Sequence, residues 1–201
     1  FVKNIKLGKV KTRLAKTIGN QAAFEVYKEL VKITEQATKK LDTPLRIYFS
    51  DAIVDTKWGN SYKAIQEGND LGERMKNAFL KGFEDGYQRI VLIGSDLPDI
   101  DSSHIQNGLD ALGNCEVVFG PAEDGGYYLI GLSEMNTKVF ENKPWSQNHL
   151  LTETLSELML NNTTFAMLDV LNDIDTFEDL EASDFYKNNK ALQHKIKQLN
   201  D

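Results

Sequence analysis

Short apolar runs alternate with longer amphipathic segments along almost the whole of this 201-residue chain. The runs predict strands at residues 45–49, 89–93, 115–119, 127–132 and 164–168. Helices are predicted from Asn20 to Leu41, from Asp70 to Gly86, from Asp101 to Gly113, from Ser146 to Leu160 and in the C-terminal tail. Strands and helices that alternate with short connections favour a parallel sheet covered by helices on both faces.

One connection departs from this alternation. The stretch from Phe119 to Tyr127 is too short to hold a crossover helix. The strand at 127–132 is therefore expected to run antiparallel to its neighbour or to lie in a secondary sheet. The sequence thus predicts an α/β fold with a mixed, mostly parallel sheet.

Length and composition narrow the class of protein. Residues 1–201 are predicted to form a single domain, whose first strand is expected to be truncated because the chain starts at Phe1 without Met. The formal charge of −7, from 23 basic and 30 acidic residues, argues against nucleic acid as a partner. No apolar stretch approaches the roughly 20 residues that span a membrane, so no membrane partner is expected. The lone Cys115 fits a reducing compartment, and a cytoplasmic location is predicted.

A basic loop at the start of the chain offers cations to a small anion. Six basic residues and no acid precede Phe24. Gly8 would let the backbone approach a phosphate, Thr12 lies in the same loop, and Lys11 and Arg13 would neutralise the phosphate charge. The alternative is a solvated basic surface.

The strand at 89–93 leads directly to Gly94-Ser95-Asp96. In open α/β sheets ligands collect at the carboxyl ends of strands, and Mg²⁺ and Mn²⁺ prefer hard oxygen ligands that they share with substrate phosphates. Asp96 is therefore a candidate metal ligand, with Asp99 as a second carboxylate nearby. A helix cap or a turn is the alternative role for both.

An acidic, glycine-containing turn follows at residues 123–126. Glu123 and Asp124 are the best candidates for a general base beside an acceptor hydroxyl. Gly125 and Gly126 would permit positive φ or a close backbone approach. An ordinary hairpin turn is the alternative, because Asp-Gly is a strong hairpin signal.

Two further segments are open to two interpretations each. Asp175 either caps a helix, in an arrangement with Glu178 or with Thr176 and Asp179, or binds metal. The polar segment 66–75 either contacts a base or ribose or caps the helix that follows, and its candidate binding residues are Gln66, Gly68, Asp70 and Arg74. Trp145 is expected to be buried rather than to line a pocket.

Six motifs of this chain resemble those of a bacterial family of GT-A-type glycosyltransferases, some of which are linked by name to arsenosugar biosynthesis. They are Val10–Leu14, Gln66–Met75, Gly94–Pro98, Gly120–Leu132, Pro144–Ser146 and Asp173–Leu180. The resemblance covers nearly the whole chain. It implies the nucleotide-diphospho-sugar transferase superfamily and its Rossmann-like three-layer α/β/α domain with a mixed sheet.

The loop at 11–14 and the ending at 175–180 are also similar to 2-phospholactate guanylyltransferase and related nucleotidyltransferases. In that superfamily an aspartate at the end of the central strand binds metal, which implies this role for Asp96, and a late aspartate often completes the site, which points to Asp175. Ser95 is placed with the nucleotide-binding residues. The family's loop usually has prolines where this chain has Ile5 and Leu7.

Three hypotheses follow. The first is sugar transfer from a nucleoside diphosphate sugar to a small-molecule acceptor, with Mg²⁺ or Mn²⁺ on Asp96 and Asp175. The second is nucleotidyl transfer from a nucleoside triphosphate, with pyrophosphate held by the basic loop. The third is a nucleotide-binding module without enzymatic activity.

Overall fold

The computed structural model describes residues 1–56 and 58–200. Its strands form two sheets. Strands β1 (Arg46–Phe49) and β2 (Tyr62–Ile65) pair in parallel. The larger sheet has the order β3-β5-β4-β6 and contains β3 (Ile90–Ile93), β4 (Val117–Pro121), β5 (Tyr127–Leu132) and β6 (Phe165–Met167).

Strand β5 runs antiparallel to both of its neighbours, β3 and β4, whereas β4 and β6 are parallel. This confirms the expectation drawn from the short connection after Phe119. Residues 1 and 2 lie between the two sheets. The Val2 amide donates to the Tyr48 carbonyl at 2.9 Å, and the Phe1 nitrogen donates to the Ile93 carbonyl at 2.9 Å.

Seven helices are present in the described ranges, in addition to a 3₁₀ turn at Thr137–Val139. They are α1 (Thr12–Lys39), α2 (Leu71–Glu84), α3 (Ser102–Ala111), α4 (Leu150–Leu160), α5 (Phe177–Ala182), α6 (Asp184–Asn188) and α7 (Lys190–Asn200). None of them is both long enough and apolar enough to cross a membrane.

Two predicted helix starts are wrong. Helix α1 begins at Thr12 rather than at Asn20, and it continues through a kink at Gly19, whose φ of 79° and ψ of 158° are not helical. Glycine tolerates this conformation without a steric penalty, so the chain kinks instead of ending the helix. Helix α4 begins at Leu150 because Ser146, at the predicted start, has a left-handed φ of 64°.

The core confirms the three-layer α/β/α arrangement. On one face of the larger sheet, α2 and α4 pack through the side chains Met75, Phe79, Phe119, Ile130, Leu132, Leu151 and Leu158. On the other face, α1 and α3 pack through Ala37, Leu97, Ile105, Leu112, Val118 and Leu129. Helix α7 covers the outer side of α1, where Leu192 and Ile196 meet Val26 and Leu30. The layers leave the carboxyl ends of β3 and β4 open for side chains that follow them.

Candidate functional site

The chain leaves β3 through Gly94 and Ser95 and reaches Asp96, whose side chain keeps 36% of its surface exposed. The backbone of Asp96 also holds the acidic segment Asp173–Asp175, because the Ile174 amide donates to the Asp96 carbonyl at 3.2 Å. Ile174 itself is buried in the core between α1 and α5. Two segments separated by nearly eighty residues therefore meet at the end of β3.

Lys11 lies between these two segments. It caps the start of α1 with left-handed backbone angles, φ 47° and ψ 50°, and only 8% of its surface is exposed. Its Nζ is 2.9 Å from Asp96 Oδ2 and 4.0 Å from Asp175 Oδ1. Burial opposes ionisation of Asp96, but the Lys11 ammonium outweighs it, and the pKa of the Asp96 carboxyl is lowered.

The basic loop supplies a second cation to the same cluster. Arg13 Nη1 is 2.7 Å from Asp175 Oδ2. Gly8 has a φ of 72° in the turn before it, and Thr12 is exposed at the first residue of α1. The first backbone N–H groups of a helix lack helical partners and favour anions, so this loop combines free donors with two cations.

The cap of α5 is formed by Thr176 and Asp179 rather than by the Asp175 side chain. Thr176 is the N-cap, and its side chain accepts from the Asp179 amide at 3.2 Å. Asp179 in turn accepts from the amides of Thr176 and Asp175, at 2.6 and 3.0 Å. The carboxylate of Asp175 is thus not used for capping, and it faces Lys11 and Arg13 instead.

In the described ranges, no group of three His, Cys, Asp or Glu side chains is arranged to hold a metal ion alone. Asp96 and Asp175 nevertheless share one cationic neighbour, the Lys11 ammonium. Mg²⁺ is commonly bound by one or two carboxylates together with substrate phosphates and waters. The pair therefore fits a divalent ion bridged by a phosphate rather than an ion held only by protein.

The acidic turn lies at the junction of β4 and β5. Asp124 Oδ1 accepts from the Gly126 amide at 2.9 Å, and the carbonyl of Gly125 accepts from the Leu151 amide at 3.1 Å. Gly125 has a φ of 87°, and a Cβ there would collide with the carbonyl of Asn148. The segment is thus a turn between two antiparallel strands, and Gly125 also permits the close approach of the Asn148 backbone.

A cavity of about 260 Å³ opens beside the cluster, between α2, β5 and the segment before α4. Asp96 and Asp124 line it, whereas Glu123 is exposed and is not among its lining residues. The expectation that Trp145 is buried is wrong, because Trp145 is half-buried and lines this cavity. A second cavity, of about 230 Å³ between β1 and β3, is mainly apolar and contains none of the predicted catalytic or metal-binding residues.

Asp173 also lines the cavity, although the sequence analysis did not select it. Burial raises the pKa of its carboxyl to about 6, and the charges of Asp96, Asp124 and Asp175 add to this while Lys11 opposes it. The alternation of acidic and apolar residues at 173–175 could have identified Asp173 as a site residue. In the run Asp173-Ile174-Asp175 the buried Ile174 points to the core, so an extended chain directs both aspartates away from it.

The segment 66–74 uses its polar groups to hold its own shape. Gln66 Nε2 donates to the Tyr48 carbonyl at 3.1 Å, and Arg74 Nε donates to the Gly68 carbonyl at 3.1 Å. Asp70 caps α2 by accepting from the Glu73 amide at 2.8 Å. The capping role is therefore present, and contact with a base or ribose remains a prediction.

Ser95 lies apart from the open site. Its side chain is buried, and its Oγ is 2.8 Å from the Tyr27 hydroxyl, which also contacts the backbone of Lys3. In this arrangement the hydroxyl links β3 to α1. Its predicted role in nucleotide binding would have to come from its backbone.

The layers and the mixed sheet define an α/β protein of the nucleotide-diphospho-sugar transferase superfamily, which includes GT-A-like glycosyltransferases and nucleotidyltransferases. A family model described as "Uncharacterized protein conserved in bacteria (DUF2064)" matches residues 35–147, which is more than half of the chain. The chain belongs to this family. A search of curated protein sequences finds no match.

Among solved structures, the chain is similar to a "putative nucleotide-diphospho-sugar transferase" from Desulfovibrio desulfuricans G20. The two share 34% sequence identity with a TM-score of 0.85, over 99% of this chain and 95% of that one.

Two more distant structures share the fold alone. The inositol-1-phosphate CTP transferase from T. maritima is 14% identical with a TM-score of 0.53, over 98% of this chain and 95% of that one. Glucosyl-3-phosphoglycerate synthase from Mycobacterium tuberculosis, in complex with Mn²⁺, UDP-glucose and glycerol 3-phosphate, is 13% identical with a TM-score of 0.50. That match covers 87% of this chain and 77% of the synthase.

Proposed function

We propose that this protein transfers a sugar from a nucleoside diphosphate sugar to the hydroxyl of a small acceptor, with the help of Mg²⁺ or Mn²⁺. One observation carries the proposal: Lys11 contacts both Asp96 and Asp175, and Asp96 lines the same cavity as Asp124. Cations for a diphosphate and carboxylates for a metal thus adjoin a cavity that contains a base for an acceptor.

The donor's diphosphate is assigned to the start of α1. Lys11 and Arg13 would move from their carboxylate partners to the phosphate oxygens, and the first amides of α1 would donate to the same oxygens. Two charged hydrogen bonds would stabilise the negative charge that develops on the leaving diphosphate. Asp96 and Asp175 are released by this exchange and would hold the metal, which supplies further charge neutralisation when bound.

The reaction then needs a base on the other side of the sugar. The acceptor's hydroxyl oxygen would bond to the anomeric carbon while the bond from that carbon to the diphosphate breaks, and the hydroxyl proton would pass to a carboxylate. Asp124 is assigned as this base because it lines the cavity. Glu123, its neighbour in the turn, does not line the cavity and is the second choice.

Product analysis tests the proposal. The protein would be incubated with Mg²⁺, a panel of nucleotide sugars and nucleoside triphosphates, and a mixture of small hydroxyl compounds as acceptors, and the products separated by anion-exchange chromatography. Release of a nucleoside diphosphate from a nucleotide sugar is the expected result. Release of pyrophosphate from a triphosphate would instead establish nucleotidyl transfer, and no release from any donor would contradict both reactions.

A further inference from the structure

We propose that the acceptor is a hydroxyl compound with an apolar face and no anionic group, so that phosphorylated acceptors are rejected. This rests on the proposed function, since it assigns the cavity beside Asp124 to the acceptor. The inference comes from the chemistry of that cavity's wall.

The floor of the cavity is apolar. It is formed by residues of α2, β3, β5, the segment before α4 and the first residue of α4, namely Leu71, Met75, Leu92, Tyr127, Ile130, Trp145 and Leu150. Aromatic and aliphatic walls favour a ligand with an apolar face, and an indole ring commonly packs against such a face. Ser146 and Gln147 add neutral polar groups at the rim.

The charged side chains that line the cavity in the described part of the chain are all acidic: Asp96, Asp124 and Asp173. An anionic acceptor would therefore meet carboxylates without a compensating cation.

The cations of the site lie elsewhere. Lys11 and Arg13 face Asp96 and Asp175 at the start of α1, and neither lines the cavity. In the proposed reaction both are committed to the donor's diphosphate. A divalent ion on Asp96 would neutralise that carboxylate, but Asp124 and Asp173 would still repel a phosphate ester placed over the apolar floor.

Matched acceptor pairs test this. Glycerol, glucose and phenyl β-glucoside would each be compared with the corresponding phosphate ester, with a donor that gives nucleoside diphosphate release. The unphosphorylated member of an active pair is expected to have a kcat/KM at least tenfold higher than its ester. A phosphate ester that is used as well as, or better than, its parent alcohol would overturn the inference while leaving sugar transfer intact.

A charge variant adds a second readout. Gln147→Arg places a cation at the cavity rim and should reduce the preference for the unphosphorylated acceptor at least tenfold. Gln36→Arg adds the same charge on the exposed face of α1, outside the cavity, and should leave the preference unchanged. An equal change in both variants would overturn the inference, because it would mean that net charge and not the cavity sets the preference. No nucleoside diphosphate release with any donor and acceptor would remove the proposed function itself.

Discussion

Replacing Asp173 by Asn removes a carboxylate that the fold holds in an unfavourable charged environment. Burial and the neighbouring carboxylates raise the pKa of Asp173 from 3.8 to about 6. One pKa unit corresponds to about 1.4 kcal/mol, so the charged form costs up to about 3 kcal/mol in the folded state. Because the residue lines an open cavity, solvent will screen part of this cost. We therefore expect the free energy of unfolding to be about 1–2 kcal/mol higher in the Asn variant than in wild type.

The sign of the pH dependence follows from the raised pKa. Between pH 4 and pH 6 the folded protein binds more protons at Asp173 than the unfolded chain does, so wild-type stability falls as pH rises through this window. Below pH 4 the carboxyl is protonated in both states, and the Asn substitution brings no gain. Above pH 6 the full gain should be present.

Urea denaturation of the chelator-treated protein at pH 4 and pH 7.5 measures this difference. In thermal denaturation, a gain of 1 kcal/mol corresponds to about 2–4 °C for a chain of this size. Asp42→Asn, at an exposed loop position, is the matched control and should be neutral at both pH values. Equal stability of Asp173→Asn and wild type at pH 7.5, or the same gain at both pH values, would refute the reasoning.

Three further predictions concern the supports of the site. Gly125→Ala should destabilise the protein by about 1–3 kcal/mol in thermal denaturation, because φ is 87° and a Cβ would collide with Asn148. Asp101 caps α3, and Asp101→Ala should lower the free energy of unfolding by about 1 kcal/mol at neutral pH. Hydrogen bonds, first from the Ser103 side chain, lower the pKa of the Asp101 carboxyl to about 2. Urea denaturation should therefore show this difference disappearing as the pH falls from 4 to 2. Lys11→Met should weaken nucleotide-sugar binding, measured by calorimetry, by at least tenfold, because we propose Lys11 as a principal phosphate ligand.

Each of these has a contrary outcome. A Gly125→Ala variant as stable as wild type would mean that the turn relaxes away from α4. A cost of Asp101→Ala that is the same at pH 2 and pH 7 would show that the carboxylate does not act as a charged cap. Unchanged nucleotide-sugar affinity in Lys11→Met would remove this residue from the phosphate site.

The sequence was sufficient to predict the order of most elements and the reversal of β5. Both depend on local pattern, namely apolar runs and the length of one connection. It also selected Asp96 and Asp175, which the fold does bring within reach of one lysine. Their specific role as metal ligands remains a prediction.

What the sequence did not predict has physical reasons. Strand β2 was missed because its four residues, Tyr62–Ile65, lie at the edge of a sheet and are half-buried to exposed, so no apolar run marks it. The start of α1 was misplaced because Asn20 was taken as a helix cap, whereas the helix begins at Thr12 and passes through Gly19 with a kink. The exposure of Trp145 depends on how the segment before α4 meets α2, which is a tertiary contact without a local signal.

The central claim is that Asp96 takes part in metal-dependent sugar transfer from a nucleotide sugar. It is tested by the rate of nucleoside diphosphate release from a nucleotide sugar in the presence of an acceptor. Wild type and Asp96→Asn are each measured with Mg²⁺, with Mn²⁺ and with chelator, and Asp42→Asn is the control. We predict release by wild type only when a divalent ion is present, a loss of at least about 100-fold in Asp96→Asn and no change in Asp42→Asn. Release that is independent of the ion, or that persists in Asp96→Asn, would contradict the claim.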